Sequence, residues 1–308
     1  MLRARTLAVL CSLLALTASA QTWAQTADPI ARVFHATPPL PSYDVATIKP
    51  FDENAGVLMS GPNMARRIMD GPTARTLIRR AYGSSSAPLA TAQVIGGPDW
   101  IDKDKYSVNG KPSPDLEVAM KKMTNEERSA QNRMLQQSLL ANRLHLKVHF
   151  EVREMPVYEL VPAKGGLKIK AVDAPPERDP NAPPQPPPAF NPNGPLPPGM
   201  MMIMMKSNGE RSMKARATDM SGLLNLIRNN SGEAGDRPII DRTGFTGHFD
   251  VDDLSFAPLT TNADAANPAS DAPSLATALE ESLGIKLVAT KGPVEVIVID
   301  SIDHPTDN

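Results

Sequence analysis

Cysteine is almost missing from this chain: a single Cys11 sits inside the first apolar run. Once that run is removed, no thiol remains. Disulfides, thiolate metal sites and a cysteine nucleophile are then excluded, which suits an oxidising compartment. Aromatic residues make up only 4% of the sequence, and both tryptophans come early, at Trp23 and Trp100. Any core must therefore be built from Leu, Ile, Val and Met. A dominant charge is also missing: 32 basic against 34 acidic residues leave a formal net charge of −2. No electrostatic field of that size draws the chain to nucleic acid or to an anionic membrane. Signatures of chemistry are absent too. There is no HExxH, no GxSxG elbow and no SxxK. Gly96-Gly97 is followed by Pro98, which removes an N–H that a phosphate-cradling loop would need.

What is present begins with a leader. Residues 1–24 read as a signal peptide, with Arg3 and Arg5 as the positive region and residues 7–16 as the apolar core. Ala18-Ser19-Ala20 offers the first cleavage site and Ala24 the second. The apolar run is too short for a membrane span, and no later stretch replaces it, so no integral membrane segment is expected after cleavage. The expected location is periplasmic or secreted.

Hydrophobic periodicity then places the elements. Residues 43–49 and 64–69 read as strands. Thr73 caps a helix over residues 74–83 that presents Leu77, Ile78 and Ala81 on one face, with Gly83 at its exit. Tyr106 and Val108 share one side of a strand. Thr124 and Glu127 form a capping box that opens a long helix, in which Met134, Leu135, Leu139 and Ala141 supply part of a buried stripe. A tight exit leads to two strands joined by a short turn before residue 161. In the first, Leu144, Leu146, Val148, Phe150 and Val152 are expected on the buried face, with His145, Lys147, His149, Glu151 and Arg153 on the wet one. Prolines crowd residues 174–199, the composition of a polyproline-like spacer. Beyond it, residues 200–205 and 212–217 read as a hairpin turned at Asn208-Gly209. A helix over 220–229, strands near 238–241 and 243–251, and a second helix–strand–strand unit over 274–299 complete the chain. The expected domains are 40–172, a linker 173–199, and 200–303.

The two halves match in order. The LIRR of residues 77–80 answers the LIRN of 226–229 with its Ile78 on Ile227; Ile95 answers Ile240, Tyr106-Ser-Val answers Phe249-Asp-Val, and Pro156-Val answers Pro293-Val. The expected fold class is α+β: two similar lobes from an internal duplication, each a small, mainly antiparallel sheet with two helices on one face.

Several stretches carry a family resemblance: YDVATIKP, TLIRRAYG, IGGPDWIDKDKYSV, residues 134–166, PIIDRTGFTGHFDV and LGIKLVATKGPVEVIVIDSIDHPTDN. They resemble the soil-associated family of exported proteins of unknown function that is expanded in Acidobacteria, over roughly residues 40–308. Some relatives carry the domain fused to BlaR-type membrane metallopeptidases. The resemblance supplies no catalytic residues. Each half is also similar, more weakly, to the short N-terminal module of secretins and TonB-dependent receptors, which implies docking between envelope proteins.

Candidate chemistry is sparse. His145 and His149 on one strand face would stand about 13 Å apart, too far to share an ion. The methionines at 200, 201, 202, 204 and 205 could hold Cu(I), but neighbours on a strand point to opposite faces, so adaptable packing is the better account. Asp99, Asp102 and Asp104 around Trp100 lack the spacing of a calcium loop and read as a turn with capping carboxylates and Trp100 as an anchor. Asp99, Trp100 and Asp102, together with Asp241, Arg242 and Thr243, remain as ligand- or partner-contacting loops. No cofactor and no metal are expected. The leading expectation is a non-catalytic binding, docking or sensing module of the cell envelope, with a sensor peptidase, receptor or secretin as partner. The alternative is a periplasmic hydrolase with a site between the lobes.

Overall fold

The computed structural model describes residues 31–52, 67–83, 88–176, 195–206, 210–230, 237–257 and 272–305. The expected signal peptide, the Asn208-Gly209 turn and residues 177–194 of the spacer lie outside them. Within them the fold is mixed α/β, with three small, mostly antiparallel sheets.

The first sheet orders β1 (Val45–Pro50), β4 (Lys105–Lys111) and β2 (Arg67–Thr73) as β1-β4-β2, all antiparallel. A second sheet has the order β6-β10-β8-β7, again antiparallel throughout. Its strands are β6 (Ala171–Val172), β7 (Met201–Met205), β8 (Arg211–Thr218) and β10 (His248–Phe256). The third sheet, β3-β11-β5-β9, is built on two long strands, β5 (Lys147–Pro162) and β11 (Ile285–Ser301). They pair antiparallel from Ile285↔Pro162 to Ser301↔Lys147. Short β3 (Val94–Ile95) adds in parallel beside Ile297 and Val298 of β11, and β9 (Ile239–Asp241) adds in parallel beside residues 158–160 of β5.

This third sheet corrects the expected pair of strands joined by a turn: each stretch is one strand, of 16 and 17 residues. Pro156 and Pro293 sit inside the ribbon without breaking it. Their position explains why. The N–H groups of Tyr158 and Glu295 point outward, to the carbonyls of Pro238 and Ala31. Residues two apart in a strand point the same way, so Pro156 and Pro293 also face outward. The hydrogen that each ring lacks would not have joined the central ladder.

Among the described residues there are six α-helices. Thr73 caps α1 (Ala74–Tyr82) by accepting from the Thr76 N–H at 3.3 Å. α2 (Trp100–Lys103) is one turn. The unexpected α3 (Pro114–Lys121) has a local cause: Ser113 caps it, Pro114 stands at its first position and Asp115 and Glu117 fill its first turn. The capping box of α4 (Asn125–Arg143) forms as expected, Thr124 N–H donating to Glu127 at 2.8 Å and Glu127 N–H to Thr124 Oγ1 at 3.2 Å. Leu135 and Leu139 are buried on it, whereas Ala141 is exposed. α5 spans Met220–Asn230, and α6 (Leu275–Ala278) runs on into a wider turn, Leu279–Leu283.

Two large apolar cores and one smaller cluster result. One joins α1, α4, β1 and β4 to Ile297, Ile299 and Ile302 at the end of β11. The other joins α5, α6, β8 and β10 to Leu160 of β5 and Ile285 of β11. β11 enters both cores, and β5 enters the second through Leu160 and reaches the first through half-buried Val148. Between these ends Val157, Val294 and Val296 are buried with Ile240 in a third, smaller cluster, and the expected buried face gives way at the start of β5: Leu144 and Leu146 are buried ahead of the strand, but Phe150 and Val152 are exposed. The Leu160 side chain is fully buried, and Leu160→Ala is a loss of about 2–5 kcal/mol.

The exit from α6 is the tightest backbone contact. Gly284 adopts φ +66°, and a Cβ there would collide with the Gly166 carbonyl and lie 2.8 Å from the Lys168 nitrogen. Gly244 has φ +69° with open space around it. Gly244→Ala should therefore cost about 1–2 kcal/mol of backbone strain, and Gly284→Ala that plus about 1–3 kcal/mol of displacement. Equal denaturation midpoints for the two variants would contradict the close approach.

Candidate functional site

The first expected loop follows β3. Arg75, projecting from the first turn of α1, donates from Nε to Asp102 Oδ1 at 2.5 Å and from Nη2 to Oδ2 at 2.9 Å. The same guanidinium reaches the carbonyls of Val94, at 2.5 Å, and Gly96, at 3.3 Å. It clamps the turn through Gly96 and Gly97, whose φ angles are +80° and +86°. The Arg75 hydrogen bond holds the Asp102 carboxyl below its ordinary pKa. Asp102 is therefore a brace. Asp99 makes no cap hydrogen bond and pairs at the surface with Lys103, at 3.0 Å, and Asp104 lies 3.9 Å from His304. The expectation of capping carboxylates is corrected at Asp99 and Asp102, which pair with Lys103 and Arg75 instead. Trp100 is half-buried, stacked on His304 at 4.0 Å and edge-on to Tyr106 at 6.3 Å.

The second loop follows β9. Asp241 Oδ1 accepts from the Thr243 N–H at 2.9 Å and from its hydroxyl at 2.7 Å, and Thr243 Oγ1 accepts from the Phe245 N–H at 3.2 Å. Arg242 is ion-paired with Glu159 on β5. Thr243 is buried. These groups satisfy a local turn. The two loops also do not meet. One stands beside Val298 and the other beside Leu160, which pairs with Leu287. Eleven residues of strand separate those positions, roughly 35 Å.

Histidines cluster on the ribbon in a way that only the β5–β11 register explains. His149 bonds Asp300 through Nδ1 at 2.7 Å and Glu151 through Nε2 at 3.0 Å, and Glu151 also accepts from Arg153 at 2.7 Å. The hydrogen bonds to Glu151 and Asp300 raise the His149 pKa above its ordinary value. His145 does not share the strand face with it: it precedes β5, adopts φ +46° and bonds Asp303 at 3.1 Å. His35 bonds Glu295 at 2.8 Å and packs on Phe150. Among the described residues no group of three His, Cys, Asp or Glu is arranged to hold a metal ion. A depression of about 320 Å³ lies at the start of β11, lined by Ala276, Thr277, Glu280, Glu281, Lys286 and Leu287. Its lining holds no His, Ser or Cys, and it touches neither expected loop.

The most distinctive surface is β7, the free edge of the second sheet. The other outer strands are interrupted. β1 carries Lys49 and Pro50, β2 carries Pro72, β9 carries Asp241, and β3 and β6 are two residues long. Charge, proline and shortness are the usual protections of an edge. β7 is MMIMM, with none of them. Met200 is 37%, Ile203 44% and Met205 75% exposed. Its inner side is tied to β8: Met200 C=O accepts from the Arg216 N–H at 3.0 Å, and the Lys206 N–H donates to Glu210 at 2.8 Å. Even-numbered residues thus bond inward, and the peptide groups of Met201, Ile203 and Met205 point outward. Among the described residues no strand pairs with that side. Met201, Ile203 and Met205 share the face of Met213 and Ala215, whereas Met202 and Met204 share that of Lys214 and Ser212. The methionines therefore do not converge on a point.

A family described as protein of unknown function (DUF3738) has a model that matches residues 75–302. No curated protein and no solved structure matches the chain. No described helix is long and apolar enough to cross a membrane.

The His149 cluster makes a pH prediction. A raised folded pKa stabilises the protein below the ordinary value of 6.5 and ceases to do so as pH rises through the folded value. His149→Gln should therefore melt below the parent at pH 5.5 and converge with it by about pH 9. A deficit that is constant across that range would remove the charge pairing as its cause.

Proposed function

The chain belongs to the DUF3738 family of unknown function, and from that premise we propose that it is a non-catalytic docking module of the cell envelope. Its docking surface is the outward edge of β7, which takes up an extended strand from outside the chain. One observation carries this reading: an uncharged strand, free of proline, whose outward peptide groups have no partner among the described residues. Main-chain hydrogen bonds supply affinity in strand addition, and adaptable methionine side chains accept varied partners.

Export of the mature chain, with its leader removed, fits such a role. So does the resemblance to envelope docking modules and to relatives of sensor peptidases. The reading further takes the halves 40–172 and 200–303 as duplicated lobes on either side of a Pro-rich linker. Support comes from β3 and β9, which follow equivalent sequences and join the ends of β11 and β5 in the same parallel sense. Arg79 and Arg228 add to it. They hold matching places in α1 and α5, and the Arg228 pKa is lowered by burial and then by the charge of Arg79. The loops of Asp99, Trp100 and Asp102 and of Asp241, Arg242 and Thr243 act as scaffolds in this view, since their polar groups are engaged within the fold.

A photo-crosslinking residue at Ile203 tests the reading in the native envelope, with Val118, 55% exposed on α3, as the control. Discrete adducts at position 203 and none at 118 are expected. No adduct at 203, or the same adducts at both, removes β7 as the docking edge.

A further inference from the structure

We propose that the strand received by β7 is β7 of a second copy, so that two chains join into one continuous eight-stranded sheet about a two-fold axis. The proposal rests on the reading of β7 as a docking edge, and it names the occupant.

The sequence of the strand is the first argument. MMIMM reads the same in both directions. Antiparallel pairing of two copies centred on Ile203 therefore sets like against like: Ile203 on Ile203, Met201 on Met205, Met202 on Met204. The outward peptide groups supply the second argument. Met201, Ile203 and Met205 are the residues whose outward N–H and C=O groups have no partner among the described residues. In this register they face one another, so each donor meets an acceptor.

Side chains agree with the backbone. Ile203 and Met205, 44% and 75% exposed, lie on the same face of the sheet as Met213 of the second core. The two-fold places both copies' Met201, Ile203 and Met205 in one apolar strip that continues that face. Charge raises no obstacle. The strand carries none, and Lys206, already paired with Glu210, stands opposite Met200 of the other copy. Assembly also stops at two. The opposite edge of the sheet is β6, only two residues long, so no second long edge is left to extend a fibre.

Sedimentation equilibrium of residues 25–308, from micromolar to several hundred micromolar, reads the association directly. The parent is expected to dimerise with concentration. Ile203→Pro removes the outward N–H without touching an inward bond to β8, and Ile203→Lys sets two charges face to face on the axis. Each should raise the dissociation constant at least about tenfold, with the melting temperature and far-ultraviolet spectrum of the monomer retained. Ile203→Cys provides a test that leaves the edge unblocked. The mature chain has no other thiol, and paired Cα atoms on the axis lie within disulfide range. Mild oxidation should link Ile203→Cys into dimers and leave Val118→Cys monomeric. A parent that stays monomeric throughout overturns the dimer; if Ile203 still crosslinks a different protein in the envelope, the docking edge survives with another occupant. A dimer that Ile203→Pro and Ile203→Lys leave intact, or that Ile203→Cys does not trap, overturns the proposal as well.

Discussion

The antiparallel pairing of β5 with β11 is the constraint on which the rest depends. The two strands are separated in sequence by residues 163–284, yet they share one ladder from residue 147 to residue 301. Each end of that ladder is the floor of a different apolar core. The first core needs Ile297 and Ile299 of β11 and the second needs Leu160 of β5, so the two strands cannot part without opening both. The short strands follow the same logic, for β3 leans on β11 and β9 on β5. Even the prolines obey it, since their missing hydrogens face away from the shared ladder.

Most polar chemistry in the molecule serves this frame. Arg75 braces a glycine turn through Asp102, and Arg242 ties the β9 loop to Glu159. Glu295 holds the chain leading into β1 through His35 and the Val33 N–H. Asp250 accepts from the Ala217 N–H and from Arg216, where β8 and β10 slip register, and these bonds hold its carboxyl below the usual range. Carboxylates committed in this way are poor candidates for acid–base work. β7 differs because its outward peptide groups, unpaired among the described residues, are matched by no charge on the strand.

Local signals in the sequence were readable where they act locally. The Thr73 cap, the Thr124–Glu127 box and the buried Tyr106 and Val108 follow from residue types at fixed short spacings. The signal for α3 was equally local, in Ser113, Pro114, Asp115 and Glu117. The candidate loops were readable as turns. Their separation was not, because it depends on which long strand each short strand joins. The partnership of His149 with Asp300 lay out of reach for the same reason: 151 residues separate them along the chain.

The sequence by itself determined the starts of α1 and α4 and the shared burial of Tyr106 and Val108, since each rests on groups within a few residues of one another. Only the tertiary structure decided that residues 147–162 and 285–301 are single strands, and that β7 lies at an edge. Strand length and edge position are properties of pairing. A strand ends where its partners end, and a peptide group is free only when no other part of the chain arrives to meet it.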